Sequence, residues 1–425
     1  MKKLKLLRLT ALFALLVPAL ARGESTTLEE CLRLASSANY TLAVTGHDRL
    51  IASEAVTQAK SGYLPRLDLQ GGYTVQAAPQ AVQIQGINAE TQDARFGFLS
   101  LTATQTIYDF GRTASRYRRA SLLQEATARE YDAQKKEVFL RVVEAYYGIL
   151  EAQKLLAAAE EEVVQRTDHL GVAKNLYEQG VVTRNDLLQA EVKLADSRQK
   201  RLAAANRLDN RWLTLNYLTG RPLSFRADLT ETPAEQVLPA AADAERRGLA
   251  NRPEIAVLAR TVDAEEKGVD VAHSAFFPEL YLKAGIDYVE NSRVREQAIY
   301  SAVFGLKINL FDGFASTSRR REAVESMLKQ RDNLRLLREQ IRVEIQTALN
   351  DARVAEERIA TVREAIRQGE ENLRINRDRY KEQVGTATDV LDAQTLLTQI
   401  KTDYYRAIFD SQVATARVKK AMGEL

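Results

Sequence analysis

Proline is scarce in this chain, with eight in 425 residues, so little in the sequence interrupts long helices. There is one cysteine, Cys31, which excludes an internal disulfide. Its preceding Leu28, Glu29 and Glu30 lack the small residues of a lipoprotein signal, so Cys31 reads as a small buried apolar residue rather than a lipidation site. Aromatic residues make up 7% and the formal net charge is +3, which leaves no electrostatic footprint for nucleic acid. The three histidines, His47, His169 and His273, have no ligand spacing to one another or to Cys31, so no metal site is expected. Nucleophile elbows, phosphate loops and paired acids in a pocket-forming context are also missing. Catalysis and cofactor binding are therefore not expected.

Long apolar runs are missing as well, with one exception. Lys2, Lys3, Lys5 and Arg8 precede the run from Leu9 to Leu20, and Ala19 and Ala21 fit a small-x-small cleavage site. A membrane-anchor reading is weaker, because a spanning helix needs about 20 apolar residues and Pro18 interrupts this run. Residues 1–21 therefore read as a signal peptide for export.

What is present is a repeat. Tyr177, Gly180, Thr183 and Asp186 form a turn that recurs as Tyr380, Gly385, Thr386 and Asp389, with the two tyrosines 203 residues apart. Asp109 and Asp312 have the same separation. Residues 22–220 form the first repeat, 221–242 a linker with Pro222, Pro233 and Pro239, and 243–425 the second repeat.

Each repeat runs through one programme. Thr27 and Glu30 fit a capping box at the start of a helix expected to reach Gly62, and a second such helix is expected from about Asp243 to Ala275. Leu64 with Pro65, and Phe277 with Pro278, end them. The period then falls to two. Leu67, Leu69, Tyr73 and Val75 alternate with polar residues, as do Leu280, Leu282, Ile286 and Tyr288. A second strand follows in each repeat, about Phe96 to Tyr108 and about Ala302 to Leu310. From Arg112 to Gln179 one helix of about 68 residues would be ~100 Å long. Its expected seam is Val142, Ala145, Ile149, Ala152, Leu156, Ala159, Val163, Leu170, Ala173 and Tyr177, with Arg166 as a break. The second long helix carries Ile345, Ala348, Ala352, Ala355, Ile359, Val362, Ile366, Gly369, Leu373, Asn376 and Tyr380 in matching register. Four amphipathic strands are too few for a membrane barrel, whose minimum is about eight. Three copies would supply twelve.

This order of helix, Leu-Pro, two strands, Asp and Gly, long helix, turn and helix, all duplicated, resembles the TolC family of outer-membrane efflux proteins. Val390, Leu391, Asp392 and Ala393 match the family's second turn, and the likeness covers the whole mature chain. It implies a mainly α fold with a small β part: coiled-coil hairpins forming an α-barrel, and four strands per chain in a homotrimeric twelve-strand barrel. It also implies an outer-membrane exit duct for tripartite efflux or type I secretion. The implied partners are a periplasmic adaptor, an inner-membrane RND or ABC pump, and outer-membrane lipid. A soluble periplasmic coiled-coil adaptor is the alternative. Oily strand faces argue against it, since an adaptor has no use for them in water. One departure stands out: Gln383 occupies the place of Gly180, and Gly385 comes two residues later.

Thr183 with Asp186 and Thr386 with Asp389 suit helix capping, with each carboxylate in a positive first turn. Asp392 lies beyond any cap and has Gln189 as its first-repeat counterpart. The resemblance assigns Asp389 and Asp392 to a cation-sensitive constriction at the tunnel's narrow end, where threefold symmetry makes rings of carboxylates. Tyr177 and Tyr380 read as seam residues, and Tyr380 also as a hydrogen-bonding group that holds the tip closed. Gly180, Val181, Thr183, Asp186, Gly385 and Thr386 are the turn residues expected to meet the adaptor. Arg116 and Arg118, recurring as Arg319 and Arg321, read as a solvated helix face near inner-leaflet phosphates.

Overall fold

The computed structural model describes residues 26–231 and 238–425. The expected signal peptide and Pro233 lie outside the described residues. Each repeat opens with a pair of helices, α1 (Leu28–Ala38) and α2 (Tyr40–Lys60) in the first, α5 (Ala241–Asn251) and α6 (Pro253–His273) in the second. The long helices are α3 (Arg112–Glu178) and α7 (Ala315–Lys381), 67 residues each. After the turns come α4 (Arg184–Thr219) and α8 (Ala387–Ala421).

The single leading helix expected in each repeat is therefore two. Asn39 breaks the first. Its side-chain oxygen accepts hydrogen bonds from the Thr41 and Leu42 amides, and its amide donates to the Leu218 carbonyl at 2.9 Å. Pro253, which cannot donate an amide bond, breaks the second and starts α6 at its first residue. Thr27 does cap α1 by accepting from the Glu30 amide. The Glu30 carboxylate instead pairs with Arg221 at 2.7 Å, so the capping box is only half made. Because Asn39 both caps α2 and fastens it to α4, Asn39→Ala should cost about 2 kcal/mol. A thermal melt of the purified protein checks this; an unchanged midpoint would leave the break without a stabilising role.

The strands are β1 (Arg66–Val75), β2 (Ala81–Ile84), β3 (Ile87–Glu90), β4 (Arg95–Tyr108), β5 (Glu279–Val289) and β6 (Ala298–Lys307). The β2–β3 hairpin was not anticipated; its two-residue turn uses Gln85 and Gly86, both at positive φ. Strand β6 ends at Lys307, short of the expected Leu310, and leaves Ile308 and Leu310 exposed beyond it. β1, β4, β5 and β6 form one antiparallel sheet in that order. Register places Leu69, Leu101, Ile286 and Tyr300 side by side, so the oily residues share one face. Leu67 and Leu69 are each 68% exposed there. Phe96 and Phe98 fall on the opposite, polar face, where the Phe98 ring fills the space above its partner Gly72. Tyr281 covers Gly305 in the same way.

Strand order and helix order coincide. β1, β4, β5 and β6 continue α2, α3, α6 and α7, and these helices pack in that sequence, α2 on α3, α3 on α6 and α6 on α7. Farther from the sheet α4 and α8 take the places of α2 and α6, with α8 lying between α3 and α7. The result is a one-layer wall of helices running into a one-layer sheet. No helix among the described residues is long and apolar enough to cross a membrane. Strands of 10 to 14 residues suit a bilayer, which a tilted strand crosses in about 9–11 residues.

The seam of α3 differs from expectation in its lower half. Val142, Ala145, Ile149 and Ala152 are buried as expected, but the stripe then runs through Leu155, Ala158, Glu162, Arg166 and His169 before regaining Ala173. A helix of 3.6 residues per turn drifts against a 3.5-residue pattern, and over this length the drift brings the neighbouring position inward. Tyr177, at the end of the stripe, is exposed. The described part of the 221–242 segment is packed down: Tyr146 donates to the Thr26 and Thr230 carbonyls, and Asn216 donates to those of Leu223 and Phe225.

Candidate functional site: the doubled turn and the node above it

The two turns share a backbone path. Gly180 leaves α3 at φ 74°, and Gln383 leaves α7 at φ 60°, so a non-glycine residue adopts the left-handed conformation in the second copy. The closing bonds match as well. Val181 donates to the Leu176 carbonyl and Val384 to that of Arg379, at 2.9 and 3.0 Å. Gly385 serves a different need, close approach: a Cβ there would sit 3.1 Å from the Arg379 Cβ.

Both following helices start with a reciprocal capping box. The Thr183 and Thr386 amides donate to the Asp186 and Asp389 carboxylates at 2.9 and 3.0 Å, and the aspartate amides donate back to the threonine hydroxyls. Asp389 thus has the same cap role as Asp186. The Thr386 amide and hydroxyl, in that order, hold its carboxyl below the ordinary aspartate range. Asp392 is exposed, one helical turn farther on, and makes no hydrogen bond or ion pair among the described residues. Gly180, Val181, Thr183 and Thr386 are exposed residues of the turns, and Asp186 and Gly385 are half-buried.

Tyr380 is buried, 7% exposed, against Leu373, Val390 and Leu397. The hydrogen bond expected of it is not made: its hydroxyl has no partner among the described residues. Burial, and secondarily the Asp186 carboxylate, push its pKa up. Its ring lies 5.8 Å from that of His169, whose Nε2 is likewise buried without a partner. Burial, then Arg166 and Arg377, lower the His169 pKa to about 4, so it is neutral at pH 7. An unfolded chain would protonate this histidine near pH 6.5. Its effect on stability is therefore constant above that pH, and stability falls as pH drops from there toward 4.

Arg166, which the seam pattern treats as a break, is the centre of a buried polar node. It donates to the Gln394 side chain at 2.9 Å and the Thr395 hydroxyl at 2.8 Å, and stands 3.6 Å from Glu162. The node ties α3 of the first hairpin to α8 of the second. Sequence reading dismissed His169 as isolated and did not pair Arg166 with Gln394. The available signal was three polar residues, at 162, 166 and 169, at helical spacing inside an otherwise apolar stripe.

A wall of helices continuous with an amphipathic sheet, closed by two capped turns, defines a subunit of a membrane duct. Residues 31–221 and 246–424 match the family described as outer membrane efflux protein. The chain belongs to that family. It is 22% identical over 392 residues to the outer membrane protein TolC of Vibrio cholerae, covering 88% of this chain and 85% of the relative. It is 24% identical over 338 residues to the alkaline protease secretion protein AprF of Pseudomonas aeruginosa, covering 77% and 69%. Among solved structures, the outer membrane protein VceC of Vibrio cholerae superposes with a TM-score of 0.81 at 17% identity, over 93% of this chain and 96% of that one. The protein is therefore an outer-membrane channel component with a long periplasmic helical extension, and not an enzyme. Membership also disposes of the soluble-adaptor alternative.

Proposed function

We propose that three copies of this chain close into a passive exit duct, twelve strands in the outer membrane above twelve helical segments in the periplasm. The carrying observation is the coincidence of strand and helix order, which leaves β1 and β6 as unpaired edges above the helix edges at α2 and α7. Unpaired strand edges are not tolerated in hydrocarbon. Joining β6 of one copy to β1 of the next removes every edge, and three copies reach an even strand number within the allowed range. The exposed apolar residues on α2, such as Val44 and Ile51, and on α7, such as Val343 and Val354, would be covered by the same contact.

The tip of the doubled turn is the periplasmic end of this duct. Asp389 and Asp392 would present rings of carboxylates at its constriction, and Tyr380 would back them from the core. The turn residues Gly180, Val181, Thr183, Asp186, Gly385 and Thr386 would meet a periplasmic adaptor linked to an RND or ABC pump. Names such as alkaline protease secretion protein and outer membrane efflux protein BepC among the relatives favour both secretion and efflux as settings. A heat-resistant trimer extracted from outer membranes only by detergent, and conducting in planar bilayers, is the expected result. Recovery of the mature protein from the soluble periplasmic fraction would defeat the proposal.

A further inference from the structure

Where the barrel meets the helices, the structure carries a groove of about 450 Å³ between the first turns of α3 and α7, over α6 residues as small as Ala272. Four cations line it: Arg112, Arg116, Lys307 and Arg319. Arg116 and Arg319 are repeat counterparts, 203 residues apart, so the duplication places the same charge on both sides of α6. The one acidic lining residue, Glu279, is already engaged. Arg112 donates to one of its oxygens at 3.1 Å and Thr106 to the other at 3.0 Å. Among the described residues Arg319 has only a distant acid, Asp312 at 3.8 Å, and that carboxylate accepts from the Ser316 amide and hydroxyl. Arg116 and Lys307 form no ion pair among the described residues.

Strand register fixes which side of the wall this is. Glu279 pairs with Lys307 at the foot of β5 and β6, and both share the face of Tyr281, Lys283 and Asp287. That is the polar face, opposite Leu282, Ile286 and Phe304. In a closed barrel the polar face lines the lumen. The groove is thus a pocket with unneutralised positive charge on the inner wall, and a cleft with low-dielectric walls focuses such a field on passing anions. Arginine forks and a lysine ammonium are the donors that suit phosphate and carboxylate oxygens.

We propose that this groove is a docking station for the anionic group of cargo in transit, taking a phosphate, sulfonate or carboxylate as the cargo enters the barrel. The proposal rests on the conduit reading, and it names the class of cargo that the conduit favours. Arg116 and Lys307 supply the free charge, Arg319 faces Arg116 across α6, and Arg112 fixes Glu279 out of the way.

The probe is inorganic pyrophosphate, titrated calorimetrically at low salt into the detergent-solubilised full chain. Saturable binding of one equivalent per chain is expected, with Kd raised at least tenfold in the double variant Arg116→Gln, Lys307→Gln. Both positions are exposed, and retention of the variant's oligomeric state and thermal midpoint confirms its fold. Equal affinity in both proteins, or no saturable binding, overturns the site. Reversal potentials in phosphatidylcholine bilayers under a potassium chloride gradient then read its role: the chloride-to-potassium permeability ratio should fall severalfold in the variant. Lost pyrophosphate binding with an unchanged ratio overturns the transit role. An anionic phospholipid that co-purifies one per chain with wild type and not with the variant assigns the groove to a headgroup and also overturns it. Failure of wild type to conduct at all rejects the conduit reading, while the calorimetry still decides the groove.

Discussion

Arg166→Ala is expected to destabilise each chain by about 3–5 kcal/mol, the cost of removing one partner from a buried ion pair. The reason lies in what it leaves behind. Glu162 is 5% exposed and Arg166 2%; without the guanidinium, the Glu162 carboxylate keeps only Lys200, 3.9 Å away and already engaged by Asp196 at 2.8 Å. Gln394, equally buried, loses the donor to its side-chain oxygen, and Thr395 loses its bond as well. The second repeat shows the alternative solution. At the positions of Glu162 and Arg166 it has Ala365 and Gly369, and a Cβ on Gly369 would come within 3.3 Å of Leu397. An apolar replacement, Glu162→Ala with Arg166→Leu and Gln394→Leu, should therefore recover most of the loss, because no charge or amide is then stranded. Denaturation of the three proteins in one detergent measures this. A single variant within about 1 kcal/mol of wild type, the level of an exposed pair, would show that the node does not hold the hairpins together.

The large plan of the fold was legible because it is written in periods. The change from helical to alternating spacing at Leu67 and Leu280 marks the strands, and the 203-residue repeat fixes which elements correspond. Helices of 67 residues follow from long stretches without proline. Two kinds of detail escaped. Asn39 ends a helix through bonds to the following amides and to Leu218, a long-range partner that no local pattern reveals. Pro253 was visible and should have divided the second leading helix. The lower seam of α3 escaped because a heptad template cannot show where accumulated drift moves burial from Val163 to Glu162. At the turns, the capping role of the aspartates followed from the Thr-x-x-Asp spacing, whereas the proposal that Asp389 and Asp392 line a constriction rests on the family resemblance. Tyr380 is at the core contact that its spacing implied, but its hydroxyl has no partner there.

Neutralising the tip acids should have the largest effect on conduction. Asp389 and Asp392 stand one turn apart on α8, both exposed, and a threefold tip would gather six carboxylates. Two unit charges at 4 Å interact by about 1 kcal/mol even in bulk water, and about 1.4 kcal/mol is tenfold in affinity. Asp389→Asn with Asp392→Asn should accordingly raise the divalent cation concentration for half-block of single-channel current by about tenfold or more. Asparagine still offers an oxygen to the Thr386 amide, so the cap survives the change. Asp186→Asn makes the matching substitution in the first turn, where the structural cap is the same but Gln189 stands in place of a second acid; it should leave block unaltered. Acidity supplies a second reading. The Thr386 bonds lower the Asp389 pKa, so its share of folded-state stability and of the ring charge is complete above the ordinary aspartate value of about 3.9. Both are lost only as pH falls through the lowered value. Block by divalent cations should therefore persist at pH 5. If the double variant is blocked like wild type, the constriction lies elsewhere in the wall and these carboxylates serve the helix start alone.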